Sequence, residues 1–133
     1  MLSTTPFRFR RFLKRCSRDD IKDIEIQIRK KEFCFFGYFQ PLVQVNGYRF
    51  SGRDFGYDTE LFHSASGVSR FRAEYRALKQ AVEIGNYARE QGVNVTITGR
   101  DIEKVTLLVD VLEEVLQQKG DEFLAELSRT SQV

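Results

Sequence analysis

The stretch Val43-Gln44-Val45-Asn46-Gly47-Tyr48-Arg49-Phe50 decides the fold, because two alternating runs flank an Asn-Gly pair. Asn-Gly readily adopts the positive φ angles of a type I′ turn, so the pattern predicts a β-hairpin. A two-residue loop sets Val45 opposite Tyr48 on the face that we expect to be buried. Gln44 and Arg49 then share the other face.

Upstream of the hairpin the sequence predicts two further strands. Every second residue from Ile24 to Ile28 is an isoleucine, which is typical of a strand with one solvated face, although Ile21, Ile24 and Ile28 would also suit a helix beginning at Ser17. The aromatic run 33–39 predicts a central strand covered on both faces. Gly37, inside that run, predicts a bulge.

Downstream of the hairpin the chain first becomes polar and then helical. Residues 51–67 are rich in Gly, Ser and Asp and predict a mobile segment with a short strand around 57–62. Ser69 fits the N-cap of a long helix, and the periodicity carries that helix to about Gln91. Gly92 then supplies the left-handed residue that closes it.

A strand and two more helices complete the predicted order. Apolar and polar residues alternate over 93–98, which indicates a strand. Asp101 can cap a helix that runs to about Lys119. A shorter helix is expected after Asp121.

These elements predict a single α+β domain over residues 1–133. An antiparallel β-meander of three or four strands, including the Asn-Gly hairpin, is followed by a long helix, a strand, a helix and a helix. Residues 1–18 are expected to form a basic N-terminal arm or a short amphipathic helix. One face of that helix would carry the apolar residues Phe9, Phe12, Leu13 and Cys16.

Composition narrows the chemistry that this chain can perform. With one histidine and two cysteines 18 positions apart, it lacks the usual frameworks for zinc or disulfides. His63 with Ser64 and Ser66 forms the only candidate triad cluster, and turn formation explains these residues more simply. We therefore expect no catalytic residue, metal site or cofactor. No apolar run is long enough to span a membrane, and we expect a cytoplasmic protein.

The net charge of +2 hides an asymmetry along the chain. Residues 1–100 hold 18 Lys and Arg against 11 Asp and Glu, whereas residues 101–133 hold 3 against 8. The start is the most basic segment, and it interleaves phenylalanine with arginine, a mixture suited to phosphates and unpaired bases. A second basic group opposes the macrodipole at the start of the long helix. The predicted nucleic-acid-binding residues are Arg8, Arg10, Arg11, Lys14, Arg15, Arg18, Arg70, Arg72 and Arg76.

The segments Arg72–Leu78 and Val95–Asp101 together resemble the ribonuclease H-like pattern. In that family a meander precedes a helix bearing an acid, and a strand ending in a second acid follows. The resemblance implies an α/β arrangement in which carboxylates hold magnesium for phosphodiester cleavage. Glu74 matches the helix acid. Arg100 stands where the strand-end aspartate would fall, with Asp101 one position later, and no acid matches the family's first strand.

Three functional hypotheses follow from the sequence. The first is a small non-enzymatic protein that binds nucleic acid through its basic segments. Contact of all six N-terminal cations with duplex phosphates would give a log–log salt slope of roughly −5. The second is a protein-interaction module, either a homodimer or an inhibitor of a partner protein, in which oppositely charged halves meet across the interface. The predicted partner is thus nucleic acid or an acidic protein surface, with a homodimer as a further possibility. The third is a degenerate ribonuclease H-like nuclease.

Overall fold

The computed structural model describes the backbone of residues 6–131 and the side chains of residues 6–119. It confirms the predicted α+β fold. The three helices are α1 (Phe7–Arg18), α2 (Gly67–Glu90) and α3 (Ile102–Ser131). The six strands are β1 (Asp23–Glu32), β2 (Phe36–Val45), β3 (Tyr48–Ser51), β4 (Leu61–His63), β5 (Asn94–Ile97) and β6 (Arg100–Asp101).

The strands form one mixed sheet with the order β3-β2-β1-β5-β6. The long strands β1 and β2 are antiparallel neighbours, and β3 and β4 both pair with the other edge of β2. β5 runs parallel to β1 and is joined to the meander through α2. A long connection of this kind is what a parallel neighbour requires.

The Asn-Gly hairpin has the predicted turn and register. Asn46 and Gly47 have φ angles of 48° and 87°, as a type I′ turn needs. Val45 pairs with Tyr48, and Gln44 pairs with Arg49. The local sequence therefore sets the pairing of β2 with β3.

All three helices cover the same face of the sheet. Most of the buried side chains form one cluster to which α1, α2 and α3 all contribute, together with inward residues of β1, β2 and β5. On the other face, Glu25, Gln27, Gln44 and Arg49 are exposed to solvent. In the part of the chain that the structure describes, no helix is long and apolar enough to cross a bilayer.

The segment around Ile24 is a strand, which decides between the two alternatives that its isoleucines allowed. Ile24 and Ile26 are buried, while Glu25 and Gln27 between them are exposed. This period of two matches one covered sheet face.

The prediction for the aromatic run 33–39 was wrong in two respects. Phe33 to Phe35 form the turn between β1 and β2, where the Phe33 N–H donates to the Phe36 carbonyl at 2.7 Å. The pairing of β1 with β2 is continuous from Ile26 to Glu32, so there is no bulge in this pairing at Gly37. A Cβ at Gly37 would lie 2.5 Å from the Lys31 carbonyl oxygen and 2.6 Å from the Phe62 ring. The glycine therefore permits a close approach.

Two helix boundaries also differ from the prediction. Ser66, not Ser69, caps α2, because its hydroxyl accepts from the Ser69 N–H at 3.2 Å. The helix α3 continues to Ser131 without the predicted break near Gly120. A glycine inside a helix costs only about 1 kcal/mol relative to alanine, which is too little to end a helix that is otherwise favourable.

Candidate nucleic-acid interface

Helix α1 is amphipathic, and its apolar stripe is part of the protein core. Phe9, Phe12, Leu13 and Cys16 are at most 3% exposed. The ring of Phe12 lies 5.3 Å from those of Phe50 and Phe55. Because the core occupies this face, α1 cannot lay it on a membrane, and its basic residues are directed away from the core.

A cleft of about 630 Å³ lies between α1 and the β2–β3 hairpin. Its lining combines two apolar residues with cations and polar groups, and no Asp or Glu of residues 6–119 takes part. We call it the α1 cleft, and it is lined by Arg11, Leu13, Lys14, Arg15, Ser17, Arg18, Tyr48, Phe50 and Gln91.

Arg15 and Asp19 fasten the hairpin to the end of α1. The Arg15 Nε lies 2.9 Å from Asp19 Oδ2, and its guanidinium carbon lies 3.7 Å from the centre of the Tyr48 ring. Asn46 Nδ2 donates to the same Asp19 oxygen at 3.2 Å. The charge of Arg15 is therefore already compensated by Asp19, and its side chain forms one side of the α1 cleft.

Three other cations line the α1 cleft. Arg11, Lys14 and Arg18 are exposed, and none of them forms an ion pair with another side chain of residues 6–119. Their spacing of three and four residues places them along one side of the helix. This row is the part of the predicted site best placed to receive an anion.

Arg8 and Arg10 are less available than the sequence suggested. Arg8 Nη1 donates to the Gly56 carbonyl oxygen at 3.4 Å, on the side of α1 where Asp54 and Asp58 lie. Arg10 is half-buried. The six N-terminal cations therefore do not form a single uniform surface.

The second predicted basic group lies far from the α1 cleft. Arg70, Arg72 and Arg76 occupy the first half of α2, whereas Gln91, just after its last residue, lines the α1 cleft. The rise of an α-helix puts about 30 Å between Arg70 and Gln91. Arg76 is also paired with Glu60 at 3.0 Å. The predicted residues therefore divide between two separate surfaces.

The structure does not assemble the metal site that the ribonuclease H resemblance implies. The chain order of meander, helix and strand is present. However, among the side chains of residues 6–119, no three His, Cys, Asp or Glu residues come close enough to hold a metal ion. Glu74 is exposed on α2, and Asp101 lies in β6, opposite Thr96 of β5. These residues do not fit a magnesium centre.

The histidine and serine cluster builds a turn, as the sequence suggested. His63 Nδ1 accepts from the Ala65 N–H at 3.2 Å, and Ser66 caps α2. Both groups are thereby used in ordering the segment that leads into the helix.

Sequence reasoning missed the part that Tyr48 has in the α1 cleft. Its pairing with Val45 pointed to the buried face, but Tyr48 is 50% exposed and lies under Arg15. The sequence could have revealed this role only in part. The hairpin register gives the sheet face on which Tyr48 lies, but it does not give the distance between Tyr48 and α1.

Comparisons with family models, with curated proteins and with solved structures found no match to this chain.

Proposed function

We propose that this protein is a small, non-enzymatic nucleic-acid-binding protein that holds a phosphate backbone along the α1 cleft. The observation that carries the proposal is the row of Arg11, Lys14 and Arg18, which are exposed and uncompensated among the side chains of residues 6–119. Arg18 lies seven positions after Arg11, which corresponds to about 10 Å along the helix axis. One strand of a duplex advances about three nucleotides over that distance.

Contacts of this kind give affinity without sequence preference. Arginine and lysine on phosphate oxygens fix the position of the protein but do not read base edges. Tyr48 adds one half-exposed aromatic ring beside the cations, a combination that tolerates unpaired bases of any identity. We therefore expect similar affinities for oligonucleotides of different sequence.

The proposal is tested by fluorescence anisotropy with labelled single-stranded and duplex oligonucleotides at low salt. The double variant Arg11→Glu/Arg18→Glu is expected to bind at least about tenfold more weakly, because it removes two cations and adds two repulsive charges. The matched control is Arg100→Glu/Lys104→Glu. It makes the same change in net charge at exposed residues of β6 and α3, at the sheet edge opposite β3.

Absence of binding by the wild type at low salt would exclude the proposal, and so would an equal loss in both double variants. An acidic protein surface is the competing partner for the same cations. It is favoured if an acidic polypeptide binds the α1 cleft and the oligonucleotides do not.

A further inference from the structure

One end of the molecule exposes an unusual concentration of apolar side chains. In the part of the chain with described side chains, nine large apolar residues are exposed, and five of them lie at this end. We call this surface the aromatic tip, and it consists of Phe33, Phe35, Phe36, Leu61 and Val68. The Phe35 side chain is 73% exposed.

Backbone pairing brings these residues together from three segments. The rings of Phe33 and Phe36 lie 5.2 Å apart in the β1–β2 turn. The Phe35 carbonyl accepts from the Ser64 N–H at 2.9 Å, which fixes the turn to the loop before α2. Leu61 pairs with Tyr38 two residues beyond Phe36, and Val68 is the second residue of α2. Exposed apolar side chains concentrated at one end of a molecule mark an interaction surface.

Three cations lie close in sequence to residues of the aromatic tip: Lys31 precedes Phe33 by two positions, and Arg70 and Arg72 follow Val68 by two and four positions. Lys31, Arg70 and Arg72 are exposed, and none forms an ion pair with another side chain of residues 6–119. Two acids of this end are already paired, Glu32 with Lys30 at 3.3 Å and Glu60 with Arg76 at 3.0 Å.

Helix stability does not explain the arginines at the start of α2. Arg70 and Arg72 oppose the macrodipole there, and Glu74 is the one exposed acid within the stretch 70–76. An external anion would compensate them.

The side chains of the aromatic tip are better suited to a lipid bilayer than to nucleic acid. Phenylalanine can stack on a base but has no donor or acceptor for the base edge, and leucine and valine offer neither contact. The rings of Phe33 and Phe36 also pack against each other. A lipid bilayer instead offers acyl chains to apolar side chains and anionic headgroups to cations. We propose that the aromatic tip inserts into the interface of a bilayer that contains anionic phospholipid, with Lys31, Arg70 and Arg72 at the headgroups.

This site is independent of the α1 cleft. The aromatic tip lies where β1 ends and α2 begins, whereas the α1 cleft lies near the beginning of β1 and the end of α2. The ten residues of β1 and the 24 residues of α2 each span about 30 Å or more. A bilayer at the aromatic tip would leave the α1 cleft open to nucleic acid.

The first test is co-sedimentation with vesicles of phosphatidylcholine, with or without phosphatidylserine. The wild type is expected to bind the vesicles that contain phosphatidylserine. The variant Phe33→Ser/Phe35→Ser is expected to bind them at least about tenfold more weakly, because each ring contributes apolar burial. The matched control, Phe7→Ser/Leu107→Ser, removes two apolar side chains that are 80% and 67% exposed elsewhere, and it should bind as the wild type does.

Cys34 allows insertion to be observed directly. It is exposed within the β1–β2 turn, while Cys16 is buried, so an environment-sensitive fluorophore can be attached there selectively. Its emission is expected to shift to the blue on addition of vesicles containing phosphatidylserine. The variant Arg11→Glu/Arg18→Glu should keep this shift while losing oligonucleotide binding. Membrane insertion at the aromatic tip and nucleic-acid binding at the α1 cleft can therefore be tested independently of each other.

Four results would overturn the inference. The first is no vesicle binding by the wild type, and the second is equal vesicle binding by Phe33→Ser/Phe35→Ser and Phe7→Ser/Leu107→Ser. The third is loss of single-stranded oligonucleotide binding in the variant Phe33→Ser/Phe35→Ser. The fourth is a wild-type oligomer in light scattering that Phe33→Ser/Phe35→Ser converts to a monomer. The third result would assign the aromatic tip to nucleic acid, and the fourth would assign it to a second copy of the chain.

Discussion

Burial gives the two thiols of this chain different chemistry. Cys16 is 2% exposed on the inner face of α1, whereas Cys34 is exposed in the β1–β2 turn. Burial raises the pKa of Cys16 to about 11, and the nearby Asp19 carboxylate adds to the rise. Since the thiolate is the reactive form, Cys16 is inert at neutral pH.

We expect Ellman's reagent to titrate one thiol in the folded protein and two after denaturation. The Cys34→Ser variant serves as the control and should show no reactive thiol until it is unfolded. Rapid reaction of both thiols in the folded wild type would contradict the burial of Cys16. The raised pKa also means that the free energy of unfolding falls as the pH rises from the usual thiol range toward 11, because the unfolded chain loses that proton first.

Single residues were predictable where their role depends on near neighbours. Asn46 and Gly47 took the expected φ angles because a type I′ turn is decided within four residues. The role of Gly37 was not predictable in this way, because the Phe62 ring that excludes a Cβ there comes from a strand 25 positions later. Tyr48 likewise acquired its place in the α1 cleft from Arg15, on another element.

Helix α1 depends on aromatic contacts to the rest of the fold. Phe12 is fully buried and contacts the rings of Phe50 and Phe55, while Phe7, five residues earlier, is 80% exposed. These contacts hold α1 against β3 and the 3₁₀ turn Gly52–Phe55. The position of the α1 cleft therefore rests on the same interactions as the stability of the helix.

The variant Phe12→Ala is expected to lower the free energy of unfolding by about 3 to 5 kcal/mol, because it leaves a cavity in the core. Phe7→Ala is the control and should change that free energy by less than about 0.5 kcal/mol. Urea denaturation followed by circular dichroism measures both values. Equal effects of the two substitutions would show that α1 is not packed as described.

Elements were predictable where their periodicity has one interpretation. The stripe of α1 identified its buried face because a period of 3.6 admits no other phase. The aromatic run 33–39 has no such phase, since nearly every residue is aromatic, and so the turn at Phe33 to Phe35 was taken for strand. Ser66 and Ser69 lie three residues apart near the start of α2, and either could cap the helix. Only the hydrogen bond that the Ser69 N–H donates to the Ser66 hydroxyl identifies Ser66 as the cap.

The whole molecule separates two basic surfaces that the sequence treated as one site. Arg11, Lys14 and Arg18 lie near the end of α2, and Arg70 and Arg72 lie at its start. The sequence could not show this, because their distance depends on how α1 packs against the sheet and α2. It also could not show that the exposed phenylalanines of the β1–β2 turn lie at the end of the molecule where α2 begins, since β1, β2 and β4 must pair first.

The salt dependence of duplex binding measures how many cations of the protein contact phosphates. Only Arg11, Lys14 and Arg18 are exposed and uncompensated at the α1 cleft, among the side chains of residues 6–119. Three phosphate contacts are expected to give a slope of about −3 for log K against log salt, shallower than the roughly −5 of six contacts. In the variant Arg11→Gln/Lys14→Gln/Arg18→Gln the slope should approach zero. A wild-type affinity independent of salt, or a slope that the triple variant leaves unchanged, would contradict the account.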